Sequence, residues 1–175
     1  KAPIMIVEKK LIPDSCGAGR FRGGLGQSII IKNIGNETIK ARYPSFTKCA
    51  NNIDCFKNYF EGLEYAKEVN KPVFVDFTGH GCQNCRRVED QYWVNDNVRR
   101  ILNDKVVLVS LYVDDREALE KPFISAYDDK KKRNVGNQWA DFQVVNFERN
   151  SQPWYTLITT EEQVITQPQG FDYFN

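Results

Sequence analysis

Two cysteines separated by two residues, Cys82 and Cys85, constrain this chain more than any other feature of its sequence. They follow an apolar run at residues 73–77, which predicts a buried strand, and they open a segment at residues 82–92 that predicts a helix. Unpaired N–H groups and the positive end of the helix dipole stabilise a thiolate at such a position. Because a thiolate is the form of cysteine that attacks a disulfide, the pattern predicts dithiol–disulfide exchange.

Two other interpretations of this pair are open, a zinc site and an inert disulfide. Zinc in a structural site has four ligands, typically in two close pairs. Cys49 and Cys55 offer a second pair, although their five intervening residues are a poor spacing for zinc. They can instead form a small disulfide, which an oxidising compartment favours, or remain free thiols. The single histidine, His80, excludes a histidine-rich site, so we expect no metal and no cofactor beyond the redox-active disulfide.

The composition limits the other classes of function. The chain has 175 residues, 41% of them hydrophobic, which is enough for one core of ordinary size and an appended segment. A net charge of +1 gives no support for a nucleic acid or an anionic membrane as partner. No apolar run approaches the roughly 20 residues that a membrane span needs. The start of the chain has no apolar signal-peptide region, so we expect any export signal to lie outside it.

Residues 1–43 differ from the rest of the chain. Two apolar stretches, residues 4–7 and 28–31, predict strands, and a glycine-rich loop at residues 13–26 separates them. The loop superficially suggests phosphate binding, but glycine patterns of that kind require a following helix, and no helix pattern follows. We therefore predict an irregular loop in which glycines occupy positions of positive φ.

The glycine-rich loop resembles a segment of the hydantoinase B/oxoprolinase family. The similar run is PDSCGAGRFRGGLG, in which Cys16 stands where the family has glycine. The resemblance covers only about the first 40 residues, so it implies none of that family's ATP- or metal-linked amide chemistry for the whole chain. We expect two segments, a strand-and-loop segment at 1–43 and a second domain at 44–175, with a seam near residues 41–44.

The chain after residue 44 predicts alternating helices and strands. Apolar residues at helical spacing predict a helix at 54–69, and residues 106–113 predict a second buried strand. Asn95 is suited to cap a short helix that carries Val98, Ile101 and Leu102. Val135, Trp139 and Phe142 mark a further helix, and residues 154–159 and 163–167 predict a hairpin. The charged residues 114–133 predict a solvated loop.

This order of elements predicts the fold class α/β, with a mixed central sheet and helices on both of its faces. That arrangement is the three-layer, thioredoxin-like sandwich. A thioredoxin fold ends with a helix after its last hairpin, and only residues 171–175 remain for one here. We therefore expect a truncated C-terminal helix.

Three blocks in this second domain resemble the C-terminal thioredoxin-like domain of DsbD-type thiol:disulfide interchange proteins. The blocks are VDFTGHGCQNCR at 75–86, VSLYVDD at 109–115 and QPWY at 152–155. The resemblance covers residues 46–175. It implies a periplasmic reductase domain that takes electrons from a membrane-embedded dithiol and passes them to the disulfides of periplasmic proteins. In this family the cysteine at the position of Cys82 is the nucleophile, and the one at Cys85 resolves the mixed disulfide.

The resemblance also suggests roles for Asp76, Pro153 and Gln152, and the position of His80 two residues before Cys82 suggests two alternatives for that residue. Asp76 matches a buried acid that relays a proton to or from Cys85; the alternative is a strand-end acid bonded to backbone. Pro153 matches a cis-proline that faces the disulfide and leaves the backbone of Gln152 free to pair with an extended substrate. His80 either stabilises the thiolate as an imidazolium or is an exposed loop residue. We expect Tyr92 and Trp93 in the core, and Arg86 and Arg87 in solvent.

The sequence leaves two functions of the domain open. The first is a thiol–disulfide oxidoreductase that reduces periplasmic protein disulfides. The second is a non-catalytic thioredoxin-like module that binds protein segments beside Pro153. Neither Gln83 nor Asn84 carries a charge, so the residues between the cysteines do not indicate the direction of electron flow.

Overall fold

A computed structural model describes residues 4–11, 27–33 and 46–171 of the chain. The chain forms two compact units, Lys1–Tyr43 and Pro44–Asn175. In the first unit, strands β1 (Ile4–Leu11) and β2 (Gln27–Asn33) pair antiparallel, so both predicted strands are confirmed and are longer than predicted. The glycine-rich loop, Cys16 and the seam near residues 41–44 lie outside the described residues.

The second unit alternates strands and helices. Two short non-α helical turns accompany them, a 3-10 turn at Ala50–Asn52 and a π-helical turn at Glu89–Trp93. In chain order the other elements are β3 (Thr47–Lys48), β4 (Asp54–Cys55), α1 (Tyr59–Val69), β5 (Val73–Thr78), α2 (Gln83–Val88), α3 (Asp96–Asp104), β6 (Val107–Tyr112), β7 (Ala118–Ile124), β8 (Lys131–Asn134), α4 (Val135–Phe147), β9 (Trp154–Ile158) and β10 (Gln169–Gly170).

The main sheet has the strand order β10-β9-β5-β6. Strands β5 and β6 are parallel, β9 is antiparallel to β5, and β10 is antiparallel to β9. The parallel pair is buried along almost its whole length, which is why both strands are apolar on both faces. The predicted mixed sheet is therefore confirmed.

Alternation along the strands divides the core into two clusters, one on each face of the sheet. The first cluster joins α1 and α4 to the sheet, with Leu63, Val75, Phe77, Val109, Leu111 and Trp139 among its buried members. The second cluster joins α2 and α3 to the opposite face, with Val88, Leu102, Leu108 and Tyr155 among its members. Phe74 packs against the second cluster, so Asp76, two residues later, points to the face that α2 covers.

Asparagine residues precede three of the four α-helices in the described part of the chain. The side chains of Asn58, Asn95 and Asn134 each accept a backbone N–H of the first turn of α1, α3 and α4. An asparagine at this position satisfies N–H groups that have no partner inside the helix. The predicted cap at Asn95 is confirmed.

Two details of the prediction are wrong. The helix predicted from residue 54 begins at Tyr59, because β4 pairs with β3 and Phe56 bridges to Val109 before Asn58 starts the helix. The charged segment 114–133 is not only loop, since β7 and β8 form an antiparallel hairpin within it. The side chains of β7 and β8 are mostly exposed, so their sequence lacks the alternation of apolar and polar residues that predicts a strand.

Two further predictions need correction. Trp93 is buried as expected, but Tyr92 is 38% exposed because the π-helical turn directs it outward. The turn after β9 forms around Glu162, yet its second arm makes only one isolated bridge, between Ile158 and Val164, before β10 resumes pairing with β9. The expected truncated helix falls largely on residues 172–175, which lie outside the described residues. Within the described part of the chain, no helix is both long and apolar enough to span a membrane.

Candidate active site

The two cysteines of the motif form a disulfide at the start of α2. Cys82 caps the helix, and its Sγ accepts the backbone N–H of Cys85 at 3.1 Å. Cys85 is fully buried in the first turn, whereas Cys82 is partly exposed. A sulfur at this position is accessible for attack, and the N–H groups of the helix start stabilise its thiolate.

The loop before Cys82 is held by a carboxylate from the end of β6. The backbone N–H of His80 donates to Oδ1 of Asp114 at 2.7 Å, and that of Gly81 donates to Oδ2 at 2.8 Å. These two hydrogen bonds lower the pKa of Asp114 below its usual range, against the opposing effect of burial. A Cβ at Gly79 would lie 3.0 Å from Oδ2 of Asp114, a tighter contact than most side chains make, so the loop passes close to the carboxylate.

The Asp114 segment is packed in turn against the start of α4. Gly136 is buried there and donates its N–H to the backbone oxygen of Asp115 at 3.0 Å. A Cβ at Gly136 would lie 2.6 Å from both the backbone nitrogen of Asp115 and the backbone oxygen of Val113. The backbone on both sides of Asp114 is therefore fixed by direct contact with the helix.

Asp76 is buried beneath α2 and is 2% exposed. It lies opposite Ser110 in the parallel pair, and the Ser110 hydroxyl donates to its Oδ2 at 2.9 Å. Burial raises the pKa of Asp76 to about 7, the Ser110 hydrogen bond opposes this rise, and the negative charge of Glu89 adds to it. A carboxyl group with this pKa can hold or release a proton near neutral pH.

A second buried acid, Glu89, was not predicted from the sequence. Glu89 is 5% exposed, and one of its carboxylate oxygens lies 2.7 Å from the guanidinium of Arg86. The same guanidinium nitrogen lies 3.1 Å from the Thr78 hydroxyl at the end of β5. Burial raises the pKa of Glu89 to about 7, and the Arg86 charge opposes this rise. The prediction that Arg86 is simply solvated is therefore wrong. The three-residue spacing of Arg86 and Glu89 places them side by side on a helix and could have indicated this ion pair.

Gln152 and Pro153 lie at the start of β9, next to β5. The peptide bond between them is cis, and Pro153 is buried while Gln152 is partly exposed. Gln143 of α4 fixes this segment, because its fully buried side chain donates to the Ser151 carbonyl at 3.0 Å and accepts from the Gln152 side chain at 3.3 Å. The sequence analysis did not identify Gln143.

An open groove of about 540 Å³ runs beside Cys82. It brings together the loop before Cys82, the residues between the two cysteines, the end of β6 and Gln152. The residues that line it are Gly79, Gly81, Cys82, Gln83, Asn84, Val113, Asp114 and Gln152. A groove of this kind can admit a segment of a disulfide partner next to the exposed sulfur.

His80 lies at the edge of this region with its side chain 57% exposed. Its ring stacks on Tyr112, with 4.3 Å between the ring centroids, and its Nε2 lies 3.9 Å from a carboxylate oxygen of Asp115. His80 thus donates its backbone N–H to Asp114 and stacks its ring on Tyr112 at the end of β6.

Cys49 and Cys55 form a second disulfide. It closes the loop that contains the 3-10 turn, and Cys55 is fully buried in the cluster under α2 and α3. Within this loop, the Asn51 side chain donates to the Glu89 backbone oxygen at 2.8 Å. The described residues contain no group of three or more metal-ligating side chains. The two pairs of cysteines are thus separate disulfides in the structure.

A family model identifies the class of fold. Residues 54–129, less than half of the chain, match the family model described as thioredoxin-like. Together with the sheet order and the helices on both faces, this match identifies a thioredoxin-like domain of mixed α/β structure.

Two further comparisons find more distant similarities, and the chain matches only a small part of the relatives' length. Spermatogenesis-associated protein 20 of Mus musculus and that of Rattus norvegicus are each 25% identical over 91 residues, which is 51% of this chain and 12% of each relative. Among solved structures, the DsbH oxidoreductase has a TM-score of 0.48 at 18% identity, covering 78% of this chain and 83% of its own. A disulphide isomerase from Xylella fastidiosa Temecula1 has a TM-score of 0.43 at 14% identity, covering 61% and 67%.

Proposed function

We propose that this protein is a thiol–disulfide oxidoreductase that acts through Cys82 and Cys85. The observation that carries the proposal is the setting of the partly exposed sulfur: Cys82 caps a helix and opens on a groove, with Cys85 buried behind it. Reactive cysteines occupy partly exposed positions that stabilise a thiolate, whereas inert cysteines are buried.

The proposed reaction starts from the reduced dithiol. The Cys82 thiolate attacks one sulfur of a protein disulfide, a mixed disulfide forms, and the other sulfur of the partner leaves as a thiolate. Cys85 then attacks Cys82, which closes the Cys82–Cys85 disulfide and releases the second partner thiol. Two electrons pass to the partner, and an external dithiol must return the protein to its reduced state.

The buried acids supply the proton chemistry in this proposal. Cys85 must lose its proton to attack, and Asp76, with a pKa raised to about 7, can accept a proton near neutral pH. Glu89 and Arg86 lie on the same helix-covered side and set the charge around it. Gln152, on the groove wall, is the proposed contact for the backbone of an extended partner, beside Pro153.

We further propose that the domain acts as a reductase in the periplasm or another extracytoplasmic compartment. The DsbD-type resemblance supports this proposal, and so does the Cys49–Cys55 disulfide, since disulfides of this kind persist in oxidising compartments. The partners would be disulfide-containing proteins and a membrane-embedded dithiol donor.

Trapping the intermediate tests whether exchange occurs at all. Replacing Cys85 by Ser removes the resolving thiol, so a reduced Cys85→Ser protein mixed with oxidised insulin should accumulate a mixed disulfide on Cys82. Peptide mapping by mass spectrometry identifies the cysteine that carries the adduct. If the domain is a non-catalytic binding module, no adduct forms on Cys82 and the wild-type protein does not accelerate insulin reduction by dithiothreitol.

The redox potential of Cys82–Cys85 tests whether the domain reduces or oxidises its partners. Equilibration of the protein in glutathione or dithiothreitol buffers, followed by thiol alkylation, gives the potential. A value near the thioredoxin potential of about −270 mV supports a reductase, whereas one near the DsbA potential of about −120 mV contradicts it.

A further inference from the structure

Asp114 occupies an unusual place in the groove beside Cys82. Among the described residues that line the groove, it alone carries a charge, since the others are glycine, valine, cysteine and side-chain amides. Asp76 and Glu89 are buried beneath the helix rather than exposed to a partner in the groove. The electrostatic field that an incoming partner meets first is therefore that of the Asp114 carboxylate.

The position of this carboxylate is fixed rather than averaged over rotamers. Each of its two oxygens accepts one backbone N–H of the loop, at 2.7 Å from His80 and at 2.8 Å from Gly81. The backbone on either side is held against Gly136. An acid that makes two charge-assisted hydrogen bonds stays ionised and oriented, and its remaining lone pairs face the groove or solvent.

The adjacent carboxylate of Asp115 does not line this groove. The Asp115 carboxylate lies 3.9 Å from the His80 imidazole and accepts the backbone N–H of Glu117 at 2.9 Å. The Asp115 carboxylate therefore interacts with His80, whose ring stacks on Tyr112, and does not line the groove.

From this geometry we infer that Asp114 is a specificity-determining residue, which makes the Cys82 groove favour disulfide partners that carry a basic side chain next to the reacting sulfur. The inference rests on the proposed thiol–disulfide exchange and adds the class of partner. A cationic group near the sulfur is attracted to the fixed carboxylate as the partner docks, whereas an anionic group is repelled. The exchange itself is the reaction described above, with the same two-electron balance.

Small disulfides of opposite charge test the inference directly. The reduced full chain is mixed, in single turnovers, with cystamine (cationic), bis(2-hydroxyethyl) disulfide (neutral) and dithiodiglycolate (anionic). Each rate is divided by the rate of the same disulfide with 2-mercaptoethanol, a neutral thiol, which removes intrinsic reactivity. We expect the wild-type protein to prefer cystamine over dithiodiglycolate, and this preference to shrink at high salt.

Three variants locate the source of the preference. Replacing Asp114 by Asn removes the charge and should reduce the cationic-to-anionic rate ratio by about fivefold. Asp114→Glu keeps the charge and should largely retain the ratio, even if a displaced loop lowers all three rates. Asp129→Asn is the matched control, because it removes one exposed charge in the β7–β8 hairpin at a positive φ that asparagine tolerates.

The outcomes separate the inference from the proposed function. An unchanged ratio in Asp114→Asn, with normal reaction of the neutral disulfide, overturns the inference alone. Equal loss of all three rates in Asp114→Asn also overturns it, because that result assigns Asp114 a purely structural role. Failure of the wild-type protein to react with any of the three disulfides refutes the proposed exchange at Cys82 and the inference with it.

Discussion

The two disulfides of the domain have similar burial and different surroundings. Cys49–Cys55 and Cys82–Cys85 each join a partly exposed sulfur to a fully buried one. Only the second begins an α-helix, opens on a groove and lies above buried acids with raised pKa values. The comparison teaches that the environment of a cysteine pair, rather than its exposure, indicates chemistry.

The largest expected effect separates the two disulfides by activity. Replacing Cys82 by Ser removes the attacking sulfur and should abolish insulin reduction above the dithiothreitol background, since loss of a nucleophile costs on the order of 10⁶-fold. The corresponding Cys49→Ser protein should keep most of its activity, because that disulfide does not line the groove. A turbidity assay of insulin reduction measures both. Equal losses in the two variants would show that the pairs do not differ as proposed.

The next effect concerns the acid beneath the reactive disulfide. The pKa of Asp76 is about 7 in the folded protein and about 3.9 in an unfolded chain. Between these values the folded state keeps a proton that the unfolded state has lost, so stability falls as the pH rises from about 4 to about 7. The Asp76→Asn side chain cannot ionise. The free energy of unfolding of this variant should therefore exceed that of the wild-type protein by about 4 kcal/mol at pH 8 and by little at pH 4.

Urea unfolding at a series of pH values measures this difference. Asp104→Asn, which removes an exposed carboxylate at the end of α3, is the control and should show no comparable dependence on pH. A stability difference between Asp76→Asn and the wild-type protein that does not grow between pH 4 and pH 8 would contradict a raised pKa at Asp76.

The Cys49–Cys55 disulfide should contribute stability rather than chemistry. The crosslinked residues are six positions apart, and closing a loop of that size stabilises a fold by about 2 kcal/mol in the chain-entropy model. Cys49→Ser is the suitable variant, because it leaves the buried Cys55 as a small apolar thiol in the core. Denaturant unfolding measures the loss, and an unchanged midpoint would remove the structural role assigned to this pair.

The smallest effect tests the ion pair beside the reactive helix. Arg86 lowers the pKa values of Glu89 and Asp76, so Arg86→Gln should raise both. The free energy of unfolding of this variant should be lower by about 1 kcal/mol at pH 8, where the acids are ionised, and by less at pH 5, where they are protonated. The effect is small because the guanidinium is partly exposed. The neighbouring Arg87→Gln is the control, since Arg87 is exposed near Phe171. A loss of stability that is the same at pH 5 and pH 8 would contradict an electrostatic interaction of Arg86 with these two acids.

The sequence predicted the buried parts of this fold better than its surface. Strong apolar runs at β5 and β6 and the cap at Asn95 are local signals, and each confirmed element follows from them. The β7–β8 hairpin carries no such signal, because its strands pair with each other and bury little. The start of α1 was misplaced because the pairing of β4 with β3 is a tertiary contact.

The site shows the same division. The sequence alone shows the spacing of Cys82 and Cys85 and the position of Asp76 in an apolar strand. The roles of these residues remain predictions. The contacts of Asp114 with the loop, of Arg86 with Thr78 and of Gln143 with Ser151 join elements distant in sequence or ordinary in composition. Such contacts depend on the fold, so a single sequence does not reveal them.

Gly136 has a consequence for how this domain can vary through evolution. Any side chain at this position would collide with the backbone on both sides of Asp114, so substitutions there displace a groove residue without altering any residue that lines the groove. We expect lineages that retain the groove charge to retain glycine at the start of this helix. Loss of the groove charge alone should not free Gly136, because the collision is with the backbone and not with the Asp114 side chain.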